Sequence, residues 1–353
     1  MRALAAALLL LAATSARAEL QAVAAPPLSV ACDDLDLTSL QAALVQEINV
    51  LQARSGPPLR FGTRSVSPLE YATRTLRPLF ELVRAGARDK LCGALRYNFA
   101  WYRIGGGPVL FTAYHTPTVR GSLSADATYR YPLYKRPKDA NQHTTAQILG
   151  GSLRGRGLEL LWLADPYDAL ALHVEGGAYV QLPDGKLVAV GTDGHNGQSY
   201  QNVSKLLIAD RKLPGGPPPR SSEPGNPKAR AYFAEHPADL NAYWGRNPHF
   251  VYFKTVEHAG SGKLGALTPG RSIAVDDSEV PMGAVVWLRA QKPTVANAQV
   301  TGWEPMERVV LGQDTGAGIR GARIDVYFGE DAEALAAAQT MSVQGEAYAV
   351  VAR

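Results

Sequence analysis

The chain has 353 residues, with 36 Lys and Arg against 32 Asp and Glu, a formal net charge of +4, 46% hydrophobic and 19% charged residues. That apolar content supports a sizeable core and excludes a disordered chain, and the length suits one large domain or two ordinary ones. No long basic run points to nucleic acid, and the 34 Gly and 24 Pro favour short strands joined by turns.

The N-terminus has Arg2, an apolar run from Ala3 to Ala13, and Ala16-Arg17-Ala18. It reads as a signal peptide, residues 1–18, cleaved after Ala18. The run is too short to cross about 30 Å of hydrocarbon. There is no cysteine at the cleavage point to take a lipid, and no later stretch reads as a membrane span. Loss of Arg2 and Arg17 leaves a formal charge of about +2. The expectation is a protein exported to the periplasm or the outer-membrane surface.

Cys32 and Cys92 are the only cysteines. In an exported protein such a pair usually forms a disulfide, and closing a loop of about 60 residues stabilises by roughly 4 kcal/mol in the chain-entropy account. Two buried thiols are the other reading. Leu37, Leu40, Leu44, Ile48 and Leu51 recur at helical spacing behind Asp33, Asp34 and Asp36, carboxylates suited to a helix N-terminus. A second helix is expected after Ser67, with Pro68 in its first turn, Leu69, Leu76, Phe80 and Val83 inward, and a kink at Pro78.

From about Ala94 the texture changes to aromatic and β-branched runs, among them "LRYNFAWYRI", "VLFTAYHTPTV", "LALHVEGGAYVQLPDGKLVAVG" and "HFVYFKTV". These predict strands, with Asp184-Gly185 as a hairpin turn. Helices are expected at about Gln201–Ile208, at about Asn226–Trp244 with a break near Pro237, and at about Asp331–Ala338. Leu213 to Pro227 reads as a surface loop. Many short strands among turns suggest a β-barrel.

The seven histidines form neither H-x-H nor H-E-x-x-H, so no metal and no cofactor is expected. No G-x-S-x-G supports a serine nucleophile. Asp314-Thr315-Gly316 has the triplet of aspartic proteases, but those use two such turns sharing a proton, and the chain has one. Glycoside chemistry needs a carboxyl that keeps its proton, through burial or a neighbouring anion. Asp314 and Asp325 end successive strand-like runs around a turn rich in glycine, so both could face one cleft.

"RSIAVDDSEVPMG" (271–283) followed by Gln313 to Gly329 resembles the three-aspartate (3D) domain, with Asp276, Asp314 and Asp325 as its aspartates. In chain order "FTAYHTPTVRGS", "YRYPLYKRP", "HVEGGAYVQLPDG", "GHNGQSYQNVSKLL" and "NPHFVYF" resemble the lytic murein transglycosylase A family. That resemblance implies a mainly β fold with N-terminal helices: a double-psi β-barrel of residues 19–117 plus 257–353, an inserted β-rich substrate-binding domain of residues 118–256, and a groove between them. It implies cleavage of the β-1,4 bond between N-acetylmuramic acid and N-acetylglucosamine in peptidoglycan, with the sugar's own C6 hydroxyl giving a 1,6-anhydro end. Asp325 matches the acid that then acts as base, Asp314 supports it, and Asp276 is structural. Thr112, Tyr114, Glu175, Asn196, Tyr200 and Gly318 are the implied sugar contacts, and peptidoglycan strands and unidentified cell-wall remodelling proteins the implied partners. Departures are Ala113 and His115 for Gly and Tyr, Glu175 for Gln, Gly177 for Ser, and Gln198 and Gln201 for basic or ring-bearing residues. A glycan-binding module without catalysis and, more remotely, an aspartic protease are the alternatives.

Overall fold

In the computed structural model, residues 20–213, 227–316 and 318–353 are described; the signal segment at 1–18 and most of the Leu213–Pro227 loop lie outside the described residues. The first helix spans Leu37–Ala53. Asp36 caps it, accepting the Ser39 N–H at 2.7 Å. Its buried face of Leu40, Leu44, Ile48 and Leu51 follows the expected spacing. The second helix starts after Ser67, whose hydroxyl accepts the Glu70 N–H, with Pro68 in its first turn. A π-helical turn, Ala72–Leu76, leads into Arg77–Arg84, where Pro78 lacks the N–H that a regular ladder would use. The turn rotates the two halves against each other. Leu76 and Val83 are buried as expected, but Leu69 is 57% exposed, and Tyr71 and Leu79 take the inward places. A further helix, Arg88–Asn98, was not legible in the sequence; it carries Cys92, which is disulfide-bonded to Cys32.

Six strands close a barrel. Around the ring these are Val109–Tyr114, Ser342–Ala352, Val285–Ala296, Gln299–Asp314, Ser272–Ala274 and Arg323–Tyr327, the last pairing again with Val109–Tyr114. The pairs 272–274 with 299–314 and 323–327 with 109–114 are parallel, and the other four are antiparallel. This mainly β architecture is the barrel class expected. The buried strands and the N-terminal helices share one hydrophobic core. Tyr71 ties the second helix to the barrel: its hydroxyl donates to the Val350 carbonyl at 2.8 Å and accepts the Val285 N–H at 2.9 Å.

A second sheet, in the order Val251–Thr255, Leu187–His195, Gly177–Gln181, Thr118–Ser122, Glu159–Leu163 and Tyr131–Tyr134, has its own core with helices around it. The Asp184-Gly185 turn joins two of its strands, Gly185 adopting φ +85°. Val203–Ala209, Pro227–Glu235, Pro237–Arg246 and, in the barrel, Ala332–Thr340 lie where helices were expected. One stretch differs. Pro166–Glu175 is a helix, where "LALHVE" had read as strand. Asp165 caps it, Pro166 stands at its first position, and Gly176 at φ +77° ends it in the left-handed conformation. Those end signals outweigh the local composition.

The carboxylates before the first helix divide their work. Asp36 is the cap, but Asp33 and Asp34 reach into the barrel. Asp33 takes a bidentate pair from Arg271, at 2.6 and 2.8 Å, and the Val309 N–H at 2.9 Å. Arg271 also donates to the Val309 and Asp36 carbonyls and to the Ser39 hydroxyl. Both side chains are fully buried. Removing one partner of such a pair strands the other charge, so Arg271→Ala should cost about 3–5 kcal/mol in urea unfolding. Arg84→Ala, which breaks an exposed pair with Glu81, should cost under about 1 kcal/mol. Equal costs would show that the buried pair is not the anchor.

Candidate active site

A groove of about 110 Å³ runs between the barrel and the second sheet's domain. The barrel lines it with Tyr114, Ala274, Asp314, Thr315, Gly316, Gly318, Ile319, Arg323 and Asp325. The other wall is His173, Val174, Glu175, Tyr200 and Asn202. A larger cavity of about 520 Å³ lies within the second domain and shares no lining residue with the groove. Size alone would select that cavity; the convergence of carboxyl groups selects the groove.

Asp325 lies in the middle of Arg323–Tyr327, directly opposite Thr112 on one side and Ala274 on the other. It is only 6% exposed. The Thr112 hydroxyl donates to its Oδ1 at 2.5 Å. That hydroxyl is itself oriented by Arg323, whose Nε and terminal nitrogen donate to it at 3.2 and 3.1 Å. Another Arg323 N–H reaches the Gly318 carbonyl at 3.1 Å. No ion pair within 4 Å reaches Asp325 among the described residues. Burial therefore pushes its carboxyl above the ordinary carboxylate range, and the Arg323 charge and the Thr112 hydrogen bond only partly oppose this.

Asp314 ends the 16-residue strand Gln299–Asp314 and is half-buried. Its Oδ1 accepts the Thr315 and Lys263 backbone N–H groups at 2.8 and 3.2 Å. The Tyr114 hydroxyl donates to its Oδ2 at 3.2 Å. Glycine at 262 lets Lys263 approach, since a Cβ there would stand 2.8 Å from Asp314 Cβ. Burial pushes Asp314 up to about 6 against these three hydrogen bonds, with a smaller upward push from Asp325. Tyr114 also packs its ring 5.2 Å from that of Tyr327.

Glu175 is the last residue of its helix and faces the groove from the opposite wall. Burial, reinforced by the charge of Asp325, pushes it up to about 8. His173, two residues earlier on the same helix, accepts the Val251 N–H at Nδ1, and burial keeps its ring neutral, near 3. Three carboxyl groups thus line one cleft, and burial favours the protonated form of each. Such a site holds a proton ready to donate.

The structure brings together Thr112, Tyr114, Glu175, Tyr200, Asp314, Gly318 and Asp325; of these Thr112 does not line the groove but touches Asp325. It does not bring Asn196 or Asp276 there. Asn196 is fully buried: its amide donates to the His143 and Pro248 carbonyls and accepts from Gln198 and Phe250. With every group satisfied it is scaffold, not a sugar contact. Asp276 takes the Gly321 N–H at 2.9 Å and both polar groups of Ser278. Burial pushes its carboxyl up, but those bonds outweigh it and hold it below the usual range while pinning the turn before Asp325's strand. Arg323 and His173 were not read as site residues. For Arg323 the signal existed, since positions 323, 325 and 327 of one strand share a face. Among the described residues no group of three or more His, Cys, Asp or Glu is placed to hold a metal.

Residues 110–254 match the family described as the MltA specific insert domain, and 271–351 match the 3D domain. The chain is 32% identical over 239 residues to the membrane-bound lytic murein transglycosylase A of Vibrio cholerae, covering 64% of this chain and 62% of that protein. It is 28% identical over 244 residues to the Escherichia coli K12 protein of the same name, covering 67% and 64%. The matched stretch is thus less than two thirds of either relative. The fold is similar to the crystal structure of a membrane-bound lytic murein transglycosylase from Agrobacterium tumefaciens, with a TM-score of 0.75 at 24% identity over 95% of this chain and 98% of that one. It is likewise similar to that of E. coli MltA with bound chitohexaose, with a TM-score of 0.72 at 22% identity over 95% and 94%.

Proposed function

The chain belongs to the lytic murein transglycosylase A family, and on that premise we propose that it cleaves the β-1,4 bond between N-acetylmuramic acid and N-acetylglucosamine in peptidoglycan, with 1,6-anhydro products. The observation that carries this is Asp325: a carboxyl at the floor of an inter-domain groove, oriented through Thr112 yet free of any ion pair among the described residues. A neutral acid in that position can protonate the leaving glycosidic oxygen. Its Oδ1 is held by Thr112, so Oδ2 is the atom to carry the proton. The resulting carboxylate then accepts the proton of the C6 hydroxyl as that oxygen attacks C1. The nucleophile belongs to the substrate, so orientation by the groove replaces a bound water.

Asp314 anchors the other side of the cleft through the bond it accepts from Tyr114, and the Asp325 charge adds to the burial that raises Asp314. Tyr114 and Tyr200 offer ring faces and hydroxyls to sugar rings, and Glu175 and Gly318 complete the walls. A barrel of residues 19–117 plus 257–353 with an insert of 118–256 is the corresponding domain division. The Cys32–Cys92 disulfide and the envelope-associated relatives support an exported protein acting in the cell envelope. Among the described residues no helix is long and apolar enough to cross a membrane.

Digestion of purified murein sacculi should release products lacking one water relative to hydrolysed ends, measured by mass; reducing ends instead would refute the reaction. Asp325→Asn should lower turnover by about 10²–10⁴-fold without a matching loss of thermal stability. The pH profile gives a second check. Acid action needs Asp325 protonated, so activity should fall as pH rises through its pKa. Burial raises that pKa and Arg323 lowers it, so Arg323→Gln should move the alkaline limb to higher pH. A limb that stays in place or moves down would remove Arg323 from that role.

A further inference from the structure

Beside the groove opens a second cavity of about 320 Å³, and Glu175 lines both. Its charged walls are Asp168 and Arg230 from the insert side and Glu330 and Asp331 from the barrel side, with His115 where the chain passes between the two. Arg230 is committed to Asp165 and Asp168. Glu330 and Asp331 have no cation within 4 Å among the described residues. Glu330 accepts a long bond from the Tyr327 hydroxyl and another from the Tyr179 side chain, and Asp331 caps the following helix through the Ala334 N–H; a carboxylate has about four lone-pair sites, so each keeps further acceptor capacity. The cavity is therefore anionic, with no cation of its own left over.

His115 adds an independent observation. Its side chain lines this cavity, is only 9% exposed, and has no hydrogen-bond partner among the described residues. Burial holds the ring neutral, near 4. Its ring nitrogens are therefore available to a ligand or water in the cavity. Glu175 is a wall of both this cavity and the groove that holds Asp325, so an occupant here lies beside whatever lies in the groove.

We propose that this side cavity binds the peptide arm of the glycan substrate, holding a free primary ammonium on that arm between Glu330 and Asp331 while His115 bonds a peptide amide. The proposal rests on the reading of the groove as a glycan site. It makes the protein a reader of the arm's charge: an arm whose amine is free fits, and one whose amine is acylated loses its charge and its fit. A charge-assisted hydrogen bond to a carboxylate is the strong kind, and a volume of about 320 Å³ holds one long side chain with its flanking amides.

The test compares a disaccharide–tripeptide ending in lysine with its Nε-acetylated twin, by equilibrium titration of the full chain at neutral pH and low salt. The free amine should bind about tenfold tighter. In the double variant Glu330→Gln, Asp331→Asn, which keeps a capping side chain at 331, that preference should fall below about threefold with the acetylated twin's affinity unchanged. Equal affinities in the wild type, or equal weakening of both probes in the variant, would overturn the proposal. Cleavage of peptide-stripped glycan separates the two readings. Stripped glycan cut normally with no amine preference sinks the cavity alone. Amine preference without any 1,6-anhydro product keeps the cavity and sinks the transglycosylase reading.

Discussion

The strand Val109–Tyr114 closes the barrel, and the active-site geometry depends on that closure. It pairs in parallel with Arg323–Tyr327 and antiparallel with the start of Ser342–Ala352. Thr112 is the residue at the seam, opposite Asp325 on one side and Ser342 on the other. A closed ring has no free edge, so the register cannot slip without breaking every pair around it. A shift of one residue would put Thr112 on the opposite face and leave the Asp325 carboxyl without its hydroxyl. The buried Arg271–Asp33 pair supports the same ring from the N-terminal helix, reaching the Val309 carbonyl in a neighbouring strand.

Closure also explains how a cation can sit near the acid without disabling it. A direct Arg323–Asp325 salt bridge would stabilise the carboxylate and pull its pKa down, removing the proton that the proposed reaction needs. Here two Arg323 N–H groups end on the Thr112 oxygen, and the hydroxyl passes a single hydrogen bond to Asp325. Orientation is transmitted through a neutral group, and burial keeps the upper hand on protonation. Asp314 is treated differently. Two backbone N–H groups and a tyrosine hydroxyl support its charge, and it is held at about 6. Two aspartates eleven positions apart thus receive different environments.

Much of this was legible in the sequence where a local rule and the tertiary structure agree. The spacing of Leu40, Leu44, Ile48 and Leu51, the Ser67-Pro68 start and the Asp184-Gly185 turn are local physics that the core leaves alone. The ordered motifs picked out Asp314 and Asp325, which line one groove. Leu69 was misplaced because a π-helical turn breaks the period, and no composition rule announces one. The Pro166–Glu175 helix was hidden in a strand-like run although Asp165, Pro166 and Gly176 mark both ends. Asn196 carried an amide suited to sugars, but the same amide suits a buried loop with carbonyls to satisfy, and only the distances to His143 and Pro248 decide. Arg323 was missed because a lone arginine in a strand reads as solvated surface until its partner across the sheet is known.

The insertion point makes the groove and its side cavity consequences of one splice. The chain leaves the barrel directly after Tyr114 and returns near Gly260, and both crossings meet at Tyr327. The Thr116 hydroxyl lies 3.0 Å from the Tyr327 hydroxyl, Tyr114 packs on its ring, and a Cβ at Gly260 would stand only 2.5 Å from its oxygen. Backbone bonds from Phe328 to Tyr114 and from Thr116 to Gly329 lock the outgoing segment to the strand that follows Asp325. The insert therefore cannot move far from the barrel at this point, and its helix end is held where Glu175 faces Asp325 across the groove. His115 lies between two bonded residues and turns into the space beside that contact, which is why the imidazole of His115 and the carboxyls of Glu175 and Asp325 line two neighbouring cavities that meet at Glu175.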